Sequence, residues 1–479
     1  YVTDESTGES LIGCNVFVKS PIRGTTTNTY GFYSLTLEKG EYELHCSYIG
    51  YNDFSAKVNL DKNQSIKIIL NTSAITTQEV IIIGEKPDKN IQSANMGTIS
   101  LPVEKIKTIP AILGEVDILK TLQLKPGIQS GSEGTTGIYV RGGGPDQNLI
   151  LLDEAVVYNA SHLFGFFSVF NADAIQNIEM HKGNMPATYG GRLASVLDVS
   201  MKEGNNKNYH AEGGLGLISS RITLQGPIKQ DTSSFIISAR RTYVDVVIKP
   251  FANKNSPLKA SDYYFYDLNA KVNYKISDKD RLYLSGYFGR DVFDLNSRSS
   301  EFSNAILWGN STAVARWNHL FNQRLFANTS VIYSNYNFGF DILQQQYDMK
   351  LRSGIEDWNT KIDFTYIPST RHTIKFGANY TYHTFTPNNV SAKTGDVAFD
   401  LGETVKLYSH EGALYVNDEF DITNLIKVNA GLRYSGYMHV GPFDRYIKDP
   451  FTNETIDTIS YLKNQKVKDY HNVEPRLSA

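Results

Sequence analysis

From about Tyr209 onward the chain is written in segments whose side chains alternate strictly, and the alternation is of an unusual kind. In DLNAKVNYK, Leu268, Ala270, Val272 and Tyr274 share one face, while Asp267, Asn269, Lys271 and Asn273 take the other. HTIKFGANYTYH sets Ile374, Phe376, Ala378, Tyr380 and Tyr382 against Thr373, Lys375, Asn379 and Thr381. KVNAGLRYSGYM sets Val428, Ala430, Leu432, Tyr434 and Met438 against Asn429, Arg433 and Ser435. A period of two specifies strands. An apolar face with tyrosines towards its ends, opposed by a face that carries charge, suits a wall with lipid outside and water inside. No apolar run approaches the roughly 20 residues of a membrane helix, so this chain can cross a membrane only as a closed barrel.

The connections sort by length. Tight ones fall at 276–280, 320–324, 367–371 and 421–425, with a slightly longer one at 226–234; long polar ones fall near 249–262, 290–311, 338–354, 384–404 and 439–470. Short turns at one end and long loops at the other form the outer-membrane barrel pattern, the short side being periplasmic. The segments count as about ten strands, with VEPRLSA beginning an eleventh. An open sheet of that length leaves unpaired edges in lipid, and plugged lumens belong to barrels of roughly 22 strands. The expectation is the first part of such a barrel.

Three blocks precede the wall. Residues 1–72 hold short alternating runs separated by Gly, Asn and Asp turns, a small β-sandwich. Its two cysteines, Cys14 and Cys46, read as buried thiols or, in an oxidising compartment, a bonded pair. Residues 73–95 form a polar linker around one strongly β-prone segment, Glu79, Val80, Ile81, Ile82, Ile83 and Gly84. Left exposed, such a segment invites aggregation; it is either a last sandwich strand or a strand held ready for the sheet edge of a partner. Residues 96–204 mix short strands with one helix at 113–122, stopped by Lys125-Pro126-Gly127, and make an α+β domain.

Within that domain, GIYVRGGGPDQNLILLDEAVVYN poses a choice between a phosphate loop and bent backbone. A phosphate loop needs a lysine and hydroxyl directly after its glycines, or a helix opening there. Here a turn follows (Pro145, Asp146, Gln147, Asn148) and then a strand at 149–152, so the glycines join two strands. The 47 basic and 50 acidic residues are nearly balanced, which gives no electrostatic reason to expect nucleic acid. There is no HExxH and no paired CxxC, so no metal site is expected and no cofactor; with no GxSxG or comparable constellation there are no catalytic residues and the chain is not read as an enzyme.

The first block, TGESLIGCNVFVKSPIRGTTTNTYGFYSLTLEKGEYELHCSYIGY, resembles the carboxypeptidase-regulatory-like domain, with its first strand largely missing ahead of Tyr1. Followed by EVIIIGEK, by VRGGGPDQNLILLDEAVVYN and HKGNMPATYGGRLASVLDVSMK, and by barrel strands, it resembles the TonB-dependent outer-membrane receptors of Bacteroidetes-type bacteria along the whole chain. The resemblance implies a mainly β, multi-domain protein: a transthyretin-like sandwich at 1–72 in the periplasm, a TonB box at 79–84, an α+β plug at 96–204, and an antiparallel transmembrane barrel from 205. It implies import of a scarce solute (an iron chelate, cobalamin, an oligosaccharide or a peptide), with TonB adding to the box by strand pairing and a surface lipoprotein as a further possible partner. Arg141, Gly142 and Arg192 take the role of locking plug to wall, the alternative for the arginines being salt bridges inside the plug. One position departs from the family: Glu154 stands where glycine usually follows the aspartate. Glutamate there costs a strain of about 1 kcal/mol if the turn keeps a positive φ.

For solute contact the loops at 127–137 and 157–171 stand out. Tyr158, His162, Phe164, Phe166 and Phe167 offer ring stacking and one titratable group, although LFGFFSVF equally suits packing of the plug core against the wall. A second function class is a barrel subunit of a larger surface assembly whose plug stays shut.

Overall fold

The computed structural model describes residues 1–73, 97–109, 114–132, 135–251, 259, 261–297, 302–369, 371–395, 397–399, 405–423 and 426–479. The β-prone segment at 79–84 lies outside the described residues.

The N-terminal block is a four-stranded antiparallel sheet, in spatial order Ile22–Thr26, Asn15–Lys19, Gly40–Ser47 and Phe54–Leu60, beside a parallel pair of Val2–Asp4 with Ile68–Leu70. Val2–Asp4 thus supplies a short first strand. Val16, Val18 and Leu44 alternate inward with Cys14 and Cys46, both buried and unbonded, to fill the core.

The plug is built on a five-stranded mixed sheet, in spatial order Ala155–Val156, Asn148–Leu152, Ser195–Met201, Ile175–Lys182 and Thr98–Pro102. Asn148–Leu152 runs parallel to Ser195–Met201, and its run of apolar residues fits a strand covered on both faces. The helix Ile118–Gln123 packs Ile118, Leu119 and Leu122 into the same core. It begins later than the pattern at 113–122 suggests, because Gly114 has φ +85 and Asp117 caps the first turn, accepting the Lys120 N–H at 3.0 Å. The glycine stretch joins Ile138–Val140 to Asn148–Leu152 through a bridge of Val140 with Gly143 and a 3-10 turn at Pro145–Gln147.

The wall is a 13-stranded antiparallel sheet running in chain order from His210–Leu215 to Lys466–Ser478, with Val397–Phe399 extending one hairpin off the path. Its end strands are not paired with one another among the described residues, so the sheet is open. The count exceeds the sequence pattern for two reasons. Residues 210–229, which alternate almost continuously, fold as the hairpin of His210–Leu215 with Ser219–Lys229, and Val397–Phe399 lies in a region read as loop.

Burial confirms the inverted polarity of the wall. Leu268 and Val272 are 43% and 37% exposed, whereas Asn269 and Lys271, which lie between them, are 2% and 4% exposed, and Lys271 is turned onto the plug. The expected long loops at 290–311, 338–354 and 384–404 are corrected: strands such as Phe302–Asn322 (21 residues) and His372–Thr394 (23 residues) run through most of them, and Leu325–Gln344 turns directly into Tyr347–Tyr366. Beyond the roughly 9–11 residues that a membrane requires, the strands continue through segments such as FSNAILWGN and FGFDILQ, in which apolar and polar residues fall on both faces. The hydrophobic period vanishes there while the backbone ladder continues.

Candidate functional site

The candidate site is the seam between the plug and the polar face of the wall. It is stitched mainly by wall cations that reach inward. Arg240 donates to Asp267 through Nε at 2.8 Å and Nη2 at 2.7 Å, and to the Ser168 carbonyl of the plug at 2.9 Å; Glu115 of the plug stands 3.7 Å away. Lys271 lies 2.9 Å from Asp153 and donates to the Met201 carbonyl at 3.0 Å. Arg433 donates to the carbonyls of Ala187 and Thr188 at 3.2 and 3.3 Å, and Arg476 to those of Met185, Pro186 and Tyr189 at 3.0, 2.7 and 2.8 Å. These carbonyls belong to the plug motif GNMPATYGGR, whose irregular backbone leaves them free of a sheet ladder. A Cβ at Gly190 would lie 2.4 Å from Arg433 Nε, so glycine lets the arginine approach.

His162 is the point where the plug meets two wall carboxylates. Its Nδ1 is 2.5 Å from Asp291, its Nε2 is 3.5 Å from Asp267 and 3.4 Å from the Tyr287 hydroxyl, and its ring stacks on Phe265 with centroids 4.0 Å apart. Burial alone would lower the imidazole pKa; the hydrogen bonds and charges of Asp267 and Asp291 outweigh it and the net shift is upward. A folded-state pKa raised above the unfolded value near 6.5 contributes stability that is complete below about pH 6.5 and is lost as pH rises through the folded value. The plug is therefore expected to unfold in urea more readily at about pH 9 than at about pH 6, and His162→Gln is expected to flatten that dependence.

A third junction joins all three blocks. The hairpin of Asn148–Leu152 with Ala155–Val156 turns through Asp153 (φ +48) and Glu154 (φ +77), so the turn of positive φ persists despite the glutamate. The Glu154 carboxylate accepts from Ser330 at 2.5 Å and Asn328 at 2.8 Å in the wall, and from the Tyr30 hydroxyl of the N-terminal domain at 3.2 Å; Arg316 Nε stands 3.5 Å away. Tyr30 and Phe32 pack on Phe326, Phe32 stacking at 5.3 Å. Glu9 accepts from the amides of Glu203 and Gly204 at 2.7 and 2.8 Å. The N-terminal domain is thus seated at the short-turn end of the wall.

The residues singled out by sequence fall into distinct places. Tyr158 hydrogen-bonds Asp357 of the wall. His162 and Phe167 are 2% and 1% exposed, and both are packing residues of the seam rather than open surfaces. Phe164 is 58% exposed, held at φ +51 after Leu163 at φ +51, and its ring contacts Tyr263, Phe293 and Trp308. Phe166 is partly exposed beneath the Lys120 ammonium, 4.1 Å from the ring centroid. Arg141 (φ +49) is exposed, with its guanidinium over Gly183; Gly142 (φ +87) faces open space; Arg192 donates to the Gly191 carbonyl at 2.8 Å. Neither arginine forms an ion pair among the described residues. Sequence reasoning placed the locking charges on the plug. Arg240, Lys271, Arg316 and Arg433 were legible only as charges on the inward face, because their partners lie tens to hundreds of positions away. Among the described residues no cluster of His, Cys, Asp or Glu is placed to hold a metal.

Comparison with known proteins agrees with this architecture. Residues 1–82 match the CarboxypepD_reg-like domain and residues 103–196 the TonB-dependent receptor plug domain. The chain is 28% identical over 218 residues to the TonB-dependent receptor SusC of Bacteroides thetaiotaomicron, covering 43% of this chain and 21% of that protein. It is 25% identical over 150 residues to the vitamin B12 transporter BtuB of Vibrio vulnificus, covering 29% of this chain and 23% of the relative. The matched segments therefore span less than a quarter of either relative. The solved structure of the copper transporter OprC shares the fold with a TM-score of 0.57 at 12% identity, over 80% of this chain and 61% of that one.

Proposed function

We propose, from the premise that the chain has the CarboxypepD_reg-like domain, plug and barrel wall of a Bacteroidetes-type TonB-dependent receptor, that it works in the outer membrane as a gated importer of a scarce solute. One observation carries the reading: a folded plug is seated on the polar face of an apolar-walled sheet and tied to it by buried wall cations, Arg240, Lys271 and Arg433 among them. A wide barrel must be closed at rest, and an outer membrane has no nucleotide supply to open it, so the work comes from a mechanical link below. The segment at 79–84 serves as that link, adding as a strand to the periplasmic partner TonB. The N-terminal domain lies in the periplasm, at the short-turn end.

Solute meets the plug from the long-loop end. Phe164, held outward by two successive residues of positive φ beside Tyr263, Phe293 and Trp308, is the first contact, with Phe166 beside it. Arg141 and Arg192 act at the plug surface, where a Cβ at Gly191, next to Arg192, would lie 3.5 Å from the Glu411 carboxylate of the wall.

Growth on a limiting solute by cells carrying the full-length receptor is expected to require TonB and an energised inner membrane. Equal growth without TonB, with the protein recovered in a stoichiometric surface complex, would replace import by the assembly role.

A further inference from the structure

The outward face of the wall carries a depression that plug and solute do not use. Register places Tyr380, Gly412, Gly436 and His471 directly opposite one another on four successive strands. Two glycines in adjacent strands interrupt a surface otherwise built from side chains such as Leu414, Leu432 and Tyr434. The result is a groove of about 590 Å³, walled by Ile362, Ala378, Leu414 and Tyr434. A Cβ added at Gly412 would meet nothing nearer than the Asn379 carbonyl at 4.0 Å, so the floor is open there, while at Gly436 a Cβ would stand 3.3 Å from His471 Nδ1.

Polar groups gather at one end of the groove only. The Tyr380 hydroxyl and His410 Nδ1 are 2.7 Å apart, and the Tyr434 hydroxyl and His471 Nδ1 are 2.9 Å apart, with Asp469 3.2 Å from His471 Nε2. His410 and Asp469 belong to the cross-strand row of Tyr382 and Met438, one step nearer the long-loop end than the glycines. A valley that is apolar below and polar above, on a wall that faces hydrocarbon, fits a molecule with a long tail and a polar head in a single orientation.

We propose that this groove holds one acyl chain of an outer-leaflet lipid, its head oxygens accepting from His410 Nε2 at the rim. The inference rests on the barrel reading and on assigning the long-loop end to the cell exterior. The occupant is lipid because the groove continues the lipid-facing surface and is floored by glycine, which leaves room for a flexible chain. A polypeptide partner is the competing occupant.

Native mass spectrometry of the full-length protein, extracted from outer membranes and washed in detergent, tests the proposal. Wild type is expected to retain one acylated outer-leaflet lipid per barrel. Gly412→Leu, which fills the floor, is expected to lower the retained fraction about tenfold, equivalent to about 1.4 kcal/mol. Ala378→Leu narrows the groove from the neighbouring strand and is expected to do the same. Wild type without retained lipid, variants that retain it equally, an inner-leaflet phospholipid in its place, or a polypeptide in the groove would each overturn the proposal. Lipid retention is read without TonB, and uptake by Gly412→Leu is expected to be unchanged, so failure here is distinguishable from failure of the import reading.

Discussion

Deleting residues 79–84 is expected to reduce solute uptake to the level of cells lacking the receptor, while solute still binds from outside with unchanged affinity. The expectation follows from what strand addition needs. Main-chain N–H and C=O groups of the added segment pair with a sheet edge, so affinity and load-bearing reside in backbone hydrogen bonds acting together, and side chains tune specificity. Ile82→Pro is therefore expected to mimic the deletion, because proline removes one donor from the ladder and fixes φ. Ile82→Thr keeps both the donor and the β preference, and should leave most uptake intact. Uptake that survives both the deletion and Ile82→Pro would place the coupling elsewhere in the chain. Binding lost together with uptake would indicate that the segment supports the fold, as a last sandwich strand does.

The parts of this fold that could be read from sequence are those governed by local rules. Alternation in DLNAKVNYK specifies a strand and sorts its faces, and Asn269 and Lys271 lie inward as that pattern requires. The RGGGPDQN stretch reads as a strand connection because proline and glycine punctuate it, and Arg141 and Gly142 adopt positive φ there. Glu154, the one residue that breaks the family pattern, is also at positive φ.

What could not be read depends on pairings between distant residues. His162 sits alone in its sequence window, and its partners Asp267 and Asp291 are in two strands that hydrophobic period marks only as polar positions facing inward. The seating of Tyr30 and Phe32 on Phe326 joins residues some 300 positions apart, and nothing in the GTTTNTYGFYS loop distinguishes it from a solvent-exposed hairpin. Strand ends failed for a different reason. Outside the bilayer the ladder of Phe302–Asn322 continues through FSNAILWGN, where apolar and polar residues fall on both faces, so the alternation ends before hydrogen bonding does.

Glu154→Gly is expected to destabilise the plug, although it restores the residue that the turn geometry prefers. Two opposing effects decide the sign. Glycine at φ +77 relieves a strain of about 1 kcal/mol. Against this, the substitution removes a carboxylate that accepts from Ser330, Asn328 and Tyr30 and stands 3.5 Å from Arg316. Arg316 is 6% exposed, and its remaining tie to the hairpin is a 2.9 Å hydrogen bond to the Asp153 carbonyl. Removing one partner of a buried pair costs about 3–5 kcal/mol, because the other charge stays behind without its compensation. The net loss is about 2–4 kcal/mol, measurable as a shift of the urea midpoint for the plug. Glu154→Gln separates the contributions: it keeps the strained backbone and much of the hydrogen-bonding shape but removes the charge, so it tests the ion pair alone. Because Tyr30 is a partner, Glu154→Gly is also expected to loosen the N-terminal domain, seen as faster proteolysis between that domain and the plug. A glycine variant as stable as wild type, with the domain still seated, would mean that the backbone strain at Glu154 is as large as the contribution of the junction it anchors.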